Sequence, residues 1–272
     1  MRRILRVLAQ VLGLGLSAGI VMADPPRALQ VSAAHIPYYV ETSGEGVLLD
    51  WFGNLTRDLP IDFHIEVFPP KRARLMWETR RVDVYMPMID GRPEPGVLIS
   101  EPLFHQNDHA FVRVGTEPVC SWEALAERHL KLGLTEGYAY PDGMQVVLGE
   151  DTGQTAEWVN GDDLNLRKLV AGRIDVFIGE YYSGLAMIRE MRLEESVMVS
   201  PCPLARREVG IAMKDTQSNR LLMEELNRRI RERQSADSLE KRLRQFVMAE
   251  LPSSAWAESG WGGTAHAVRH TP

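Results

Sequence analysis

LVAGRIDVFIGEYYS, residues 169–183, decides how the rest of the chain is read. Its first residues close a helical stretch, Gly172 makes a tight turn, and Ile174 to Ile178 form a continuous apolar run. The run is rich in β-branched and aromatic side chains, as in a parallel strand covered on both faces. Ligands of open α/β sheets collect at the carboxyl ends of such strands. Glu180 stands at that end and is the leading candidate binding residue. A second copy lies upstream: RVDVYM at 81–86 aligns with RIDVFI at 173–178, sharing the Arg, the Asp and the Val that follows it. Each copy follows a helical stretch, 71–79 and 164–171. Either one helix–strand unit serves twice, once in each of two lobes, or the likeness is chance; the first reading is taken forward.

The N-terminus is set apart from the fold. Arg2, Arg3 and Arg6 precede an apolar stretch, residues 7–21, and Val21-Met22-Ala23 gives a small-x-small cleavage pattern before Asp24. The stretch is short and Gly-rich for a membrane span. Residues 1–23 therefore read as a signal peptide cleaved after Ala23, with a retained anchor as the alternative, and the mature chain as exported to the periplasm. The full chain carries a net charge of −6, and losing three arginines makes the mature chain more acidic still. That balance argues against nucleic acid as a partner. A hydrophobic fraction of 44% is enough for a real core. Cys120 and Cys202 are either a disulfide pair in an oxidising compartment or two separate thiols. Neither has metal-ligand or CxxC spacing, and no metal or cofactor is expected.

Working outward, residues 29–33 are predicted as a first strand ending at His35-Ile36-Pro37-Tyr38-Tyr39. There Tyr38 and its neighbour either wall a ligand site or half-bury in a loop. Residues 47–59 have helical apolar spacing stopped by Pro60. Residues 61–68 alternate apolar and polar as a strand does. Pro69-Pro70 then opens a helix over 71–79, with Arg72 on its first turn, and a strand over 82–88 follows. Residues 90–96 form a turn-rich loop, and the extended run 109–114 carries the chain into a second lobe. There Ser121 N-caps a helix reaching His129. A strand over 130–134 leads to Gly137-Tyr138-Ala139-Tyr140, whose glycine lets a backbone N–H approach an anion and whose rings can flank a ligand. Further strands are predicted over 155–159, 174–178, 197–200 and 209–213, and helices over 181–191, 219–234 and 238–249. The arginines between 228 and 233 read as a solvated helix face. Residues 250–272 read as a disordered tail.

With those pieces in place the chain resembles the family 3 extracellular solute-binding proteins, whose members deliver amino acids to ABC importers. The resemblance rests on the signal peptide, Pro37-Tyr38, the helix starting at Arg72 before Val82-Asp83, SEPLF at 100–104, Gly137-Tyr138, and Ala171-Gly172-Arg173-Ile174-Asp175. It implies an α/β fold of two lobes joined by two crossing strands, the type II periplasmic-binding-protein arrangement. Lobe 1 would be 24–112 plus 206–249, and lobe 2 would be 113–205. It also implies that Arg92 meets a ligand carboxylate and that Glu180, five residues after Asp175, meets an ammonium. Met86-Pro87-Met88-Ile89-Asp90 and Tyr138-Ala139-Tyr140 replace the family's hydroxyl-rich segments, which points away from a standard α-amino acid. The expected ligand is a small polar, amino-acid-like or cationic molecule in a cleft of Tyr38, Arg72, Arg92, Tyr138 and Glu180. The chain is expected to act as a monomeric binding protein with ABC-transporter membrane subunits as partners. The alternatives are a periplasmic cyclohexadienyl dehydratase-like enzyme and a ligand-sensing accessory protein.

Overall fold

In the computed structural model, residues 27–92, 94–148, 155–236 and 238–248 are described. The signal-peptide and C-terminal-tail expectations lie outside them. The first lobe begins with β1 (Arg27–Ala34), α1 (Val47–Thr56), β2 (Ile61–Phe68), α2 (Pro70–Glu78), β3 (Val84–Ile89) and β4 (Val97–Ile99). β5 (Phe104–Arg113) leaves it. The second lobe holds α3 (Trp122–Glu127), β6 (Leu132–Thr135), α4 (Gly143–Leu148), β7 (Ala156–Val159), α5 (Asp162–Val170), β8 (Val176–Glu180), α6 (Tyr181–Glu190) and β9 (Val197–Val199). β10 (Ala205–Lys214) returns, and α7 (Gln217–Ala236) and α8 (Leu239–Met248) close the chain.

One curled sheet runs through both lobes in the order β2-β1-β3-β10-β5-β8-β6-β7, with β4 on β10 and β9 on β5. β5 and β10 are antiparallel and pair across Phe104 to Asp108, which makes them the two crossing strands. Two sets of apolar cores flank the crossing. One gathers Leu48, Trp51, Phe52, Val84 and Met86 with Leu226 and Ile230 of α7. The others gather Leu132, Leu134 and Ile178 on one side of β8, and Phe111, Leu166 and Phe177 on the other. β8 is thus buried on both faces, as its apolar run predicts. It runs parallel to β6 and antiparallel to β5.

The repeated hexapeptide has a physical explanation. β3 and β8 each lie between a parallel neighbour and an antiparallel crossing strand. The residue before each Arg is left-handed, Arg80 at φ 56° and Gly172 at φ 67°, and ends the preceding helix. Arg81 and Arg173 then donate backbone N–H groups to Met76 and Lys168 carbonyls. Asp83 accepts the Gln30 N–H at 3.1 Å and an ion pair from Lys214 at the end of β10. Asp175 accepts the Lys131 N–H at 3.0 Å and an ion pair from Arg113 at the end of β5. In each lobe one carboxylate ties a strand entry to its parallel neighbour and to the opposite crossing strand.

Two elements escape the sequence reading. β4 is three residues long, and α4 starts at a glycine inside a segment with little periodicity. Elsewhere local chemistry is as expected: Ser121 Oγ accepts the Ala124 N–H at 3.1 Å as the N-cap of α3. The arginines of α7 serve the fold. Arg229 and Arg233 donate to the Leu55 and Asn54 carbonyls at the end of α1, and Arg228 pairs with Glu225 and Glu232. Helix-end carbonyls need such donors when they are not solvated. Cys120 and Cys202 form a disulfide with a Cα–Cα distance of 5.2 Å, tying the approach to α3 to the approach to β10.

Candidate functional site

A cavity of about 320 Å³ lies where the crossing strands meet the facing ends of β3 and β8. Its lobe-1 wall is Trp77, Tyr85, Asp90 and Arg92; its hinge wall is Gln106 and Arg207; its lobe-2 wall is Tyr138 and Glu180. The lobes touch beside it. Gly137, left-handed at φ 81°, sits so close to α2 that an added Cβ would lie 2.9 Å from the Lys71 nitrogen. Arg92 and Asp142 face each other across the mouth at 3.6 Å, both largely exposed.

Glu180 is both the last residue of β8 and the N-cap of α6, where its Oε2 accepts the Ser183 N–H at 2.8 Å. Strand registry with Asp108 brings it to the crossing strands. It is only 6% exposed, and its Oε1 has no hydrogen bond of ordinary geometry among the described residues. The Tyr39 hydroxyl faces it from the first lobe's core without a hydrogen bond of ordinary geometry. Burial pushes the carboxyl up to about 7; the Ser183 and Tyr182 N–H groups and Tyr39 pull it down, and nearby Asp108 pushes it up. A buried carboxylate beside only the Tyr39 hydroxyl and the α6 N–H groups, with no cationic side chain paired to it among the described residues, is prepared for a positively charged donor.

The lining arginines are already engaged. Arg207, on β10, lies 2.8 Å from the buried Asp108 carboxylate and donates to the Ala139 carbonyl at 2.7 Å. Asp108 also accepts from Gln106 at 2.8 Å. Arg74 pairs with Glu78 at 2.8 Å. With Arg92 on Asp142, each lining arginine has a carboxylate partner, while Glu180 has none among the described residues. Asp90 approaches Arg207 no closer than 3.9 Å. The wall therefore carries surplus negative charge, which favours a cation and disfavours an anion.

Behind Tyr138 a polar network fixes the lobe-2 wall. Thr135 Oγ1 donates to the buried Asp162 carboxylate and accepts from Asn165 Nδ2, and Tyr138 OH reaches Asp162 at 3.4 Å. Burial raises Asp162 to about 6 against the pull of these donors. Tyr140 turns inward, its hydroxyl accepting the Thr135 N–H. Gly137 packs against the N-terminus of α2 at Lys71, so the anion approach expected of it is not what its backbone meets here.

Of the five residues read from the sequence, the structure brings Arg92, Tyr138 and Glu180 to one cavity and leaves out Tyr38 and Arg72. Tyr38 is left-handed at φ 68°; its ring packs against the core cluster of Phe111, Phe177 and Ile188, and its hydroxyl reaches Glu190 on α6. Arg72 lies over the Phe68 ring at 4.9 Å, on an exposed turn of α2. Tyr39, the other ring of that loop, is in the core, stacked on Phe104. Sequence reasoning missed Arg207, Asp108, Trp77 and Tyr85. Asp108 and Arg207 sit in the crossing strands, whose pairing no local pattern discloses. Tyr85 had a signal, being polar-tipped between the apolar Val84 and Met86 of β3.

No family model matches the chain, and no curated protein matches it by sequence. Solved structures do match its fold. An ancestral arginine-binding protein bound to arginine aligns with a TM-score of 0.64 and 18% identity, over 81% of this chain and 97% of that one. A histidine kinase sensor domain with similarity to periplasmic binding proteins aligns with a TM-score of 0.64 and 18% identity, over 83% and 98%. An ancestral amino-acid-binding protein, a precursor of cyclohexadienyl dehydratase, aligns with a TM-score of 0.62 and 15% identity, over 81% and 95%. The chain has the two-lobed α/β fold of the type II periplasmic solute-binding proteins.

Proposed function

We propose that the chain is an exported solute-binding protein that closes its lobes over a small cationic or amino-acid-like molecule and presents the closed form to the membrane subunits of an ABC importer. On this reading residues 1–23 are a signal peptide removed in the periplasm. Residues 24–112 plus 206–249 and residues 113–205 are the two lobes, and the protein works as a monomer without a cofactor. The observation that carries the reading is Glu180, buried at the junction of the lobes with no cationic partner among the described residues. Tyr138 flanks it, and Arg92 spans the mouth toward Asp142. A ligand shifts the lobes toward closure only through its greater affinity for the closed form. The test is thermal unfolding of the mature protein with amino acids, polyamines and small carboxylates. A ligand at a hundred times its Kd adds about 2.7 kcal/mol of stability. A rise in Tm that disappears in Glu180→Gln supports the reading; no rise across the library, or one undiminished in that variant, overturns it.

A second reading has one observation in its favour: Glu180, pushed up to about 7, is poised to give and take a proton. An enzyme of the same fold acting on a cyclic acid would use it so. The surplus negative charge of the wall weighs against an anionic substrate. Dehydration of a cyclohexadienyl acid by the purified chain, lost in Glu180→Gln, would favour this reading over transport.

A further inference from the structure

The cavity has a second end that the charge argument does not use. On the lobe-1 side Tyr85 and Ile99 flank Ala212: both are in register with it, on β3 and β4 respectively, and so share its face of the sheet. Trp77, on α2, stacks offset on Tyr85 with ring centroids 6.2 Å apart and planes at 21°. Trp77, Tyr85, Val97 and Ile99 all line the cavity and are half-buried, although three of them lie on strands of the central sheet. These side chains wall an apolar end of the cavity. Glu180, only 6% exposed, lines the same cavity.

We infer that the ligand is an amphiphilic amine without a carboxylate, its ammonium held by Glu180 and its apolar or aromatic body lodged between Trp77–Tyr85 and Ile99. The inference rests on the solute-binding reading and narrows it. An α-carboxylate would have to compete for each lining arginine with an acid of the chain, Arg207 with the buried Asp108, Arg74 with Glu78 and Arg92 with Asp142. It would also meet Asp90 and Glu94, both of which line the cavity. Leaving a buried carboxylate unmatched is costly, which is how such a wall discriminates. Seating a ring in the recess removes apolar surface from water on both partners and adds ring–ring contact.

The test is titration calorimetry on the mature protein with three probes: 2-phenylethylamine, its carboxylated analogue phenylalanine, and ethylamine, which has no ring. The expected order is 2-phenylethylamine tightest, with each of the others at least about ten-fold weaker. Trp77→Ala should weaken 2-phenylethylamine about ten-fold while leaving ethylamine unchanged, and Trp77→Phe should recover most of the loss. Far-UV circular dichroism confirms that the variants fold. Phenylalanine binding as tightly as 2-phenylethylamine, or a Trp77→Ala effect equal for both amines, overturns this inference and leaves the Glu180 reading standing. No binding by any of the three, together with no hit in the wider library, overturns both.

Discussion

Replacing Glu180 by glutamine should stabilise the ligand-free protein while destroying its site, and the size of the gain follows from the structure. Raising a carboxyl from 4.5 to about 7 on folding costs the folded state about 3 kcal/mol once the pH exceeds both values. The sign is fixed by proton counting. Below pH 4.5 the group is protonated in both states and costs nothing. Between 4.5 and about 7 the unfolded chain gives up its proton while the folded chain keeps it, so stability falls as pH rises. Above about 7 both states are ionised and the penalty is constant. Glutamine has no such window, and its amide oxygen can still accept the Ser183 N–H that caps α6. Urea unfolding of the two proteins from pH 4.5 to 8 should therefore show curves that nearly coincide at the acid end. They should separate by as much as about 3 kcal/mol at the alkaline end, or roughly 6–12 °C in Tm. Asp162, raised from 3.8 to about 6, tilts both curves alike and cancels in the difference. Curves that stay parallel across the range would mean that Glu180 is solvated, and the reasoning about the site would fail.

Other consequences follow from single contacts. Asp108→Ala strands the buried Arg207 and should cost about 3–5 kcal/mol by urea unfolding; Asp108→Leu combined with Arg207→Met should recover most of it. The disulfide spans 82 residues of sequence, so Cys202→Ser, or reduction before unfolding, should lower stability by at most about 4–5 kcal/mol in calorimetry. Gly137→Ala places a Cβ against Lys71 at a left-handed position. It should hold the lobes apart, seen as a larger radius of gyration by small-angle X-ray scattering and weaker ligand binding than the parent.

Much of the fold is legible in the sequence because its signals are local. The apolar run before Glu180 is dense enough to fix a buried strand, and the β2 alternation fixes its ends at the observed residues, Ile61–Phe68. The duplicated hexapeptide is legible as architecture because its Asp does the same work twice, on Gln30 and on Lys131. Sites are harder to read because they are assembled from distant segments. Tyr38 has the right chemistry and neighbourhood, but a left-handed backbone turns it toward Glu190. Arg207 and Asp108 look like ordinary strand charges until antiparallel pairing sets Asp108 opposite Glu180 and brings Arg207 onto Asp108. β4 and Trp77 matter through the apolar end of the cavity that they help to wall, and no periodicity encodes a wall shared between distant segments.

The most direct measurement is a crystal structure of the mature protein purified from its own host, with whatever small molecule it carries between the lobes. The account predicts density in the cavity with a positively charged nitrogen about 3 Å from the Glu180 carboxylate and Arg207 still paired with Asp108. An anionic group seated on Arg92 or Arg207, with Glu180 out of contact with the ligand, would contradict it.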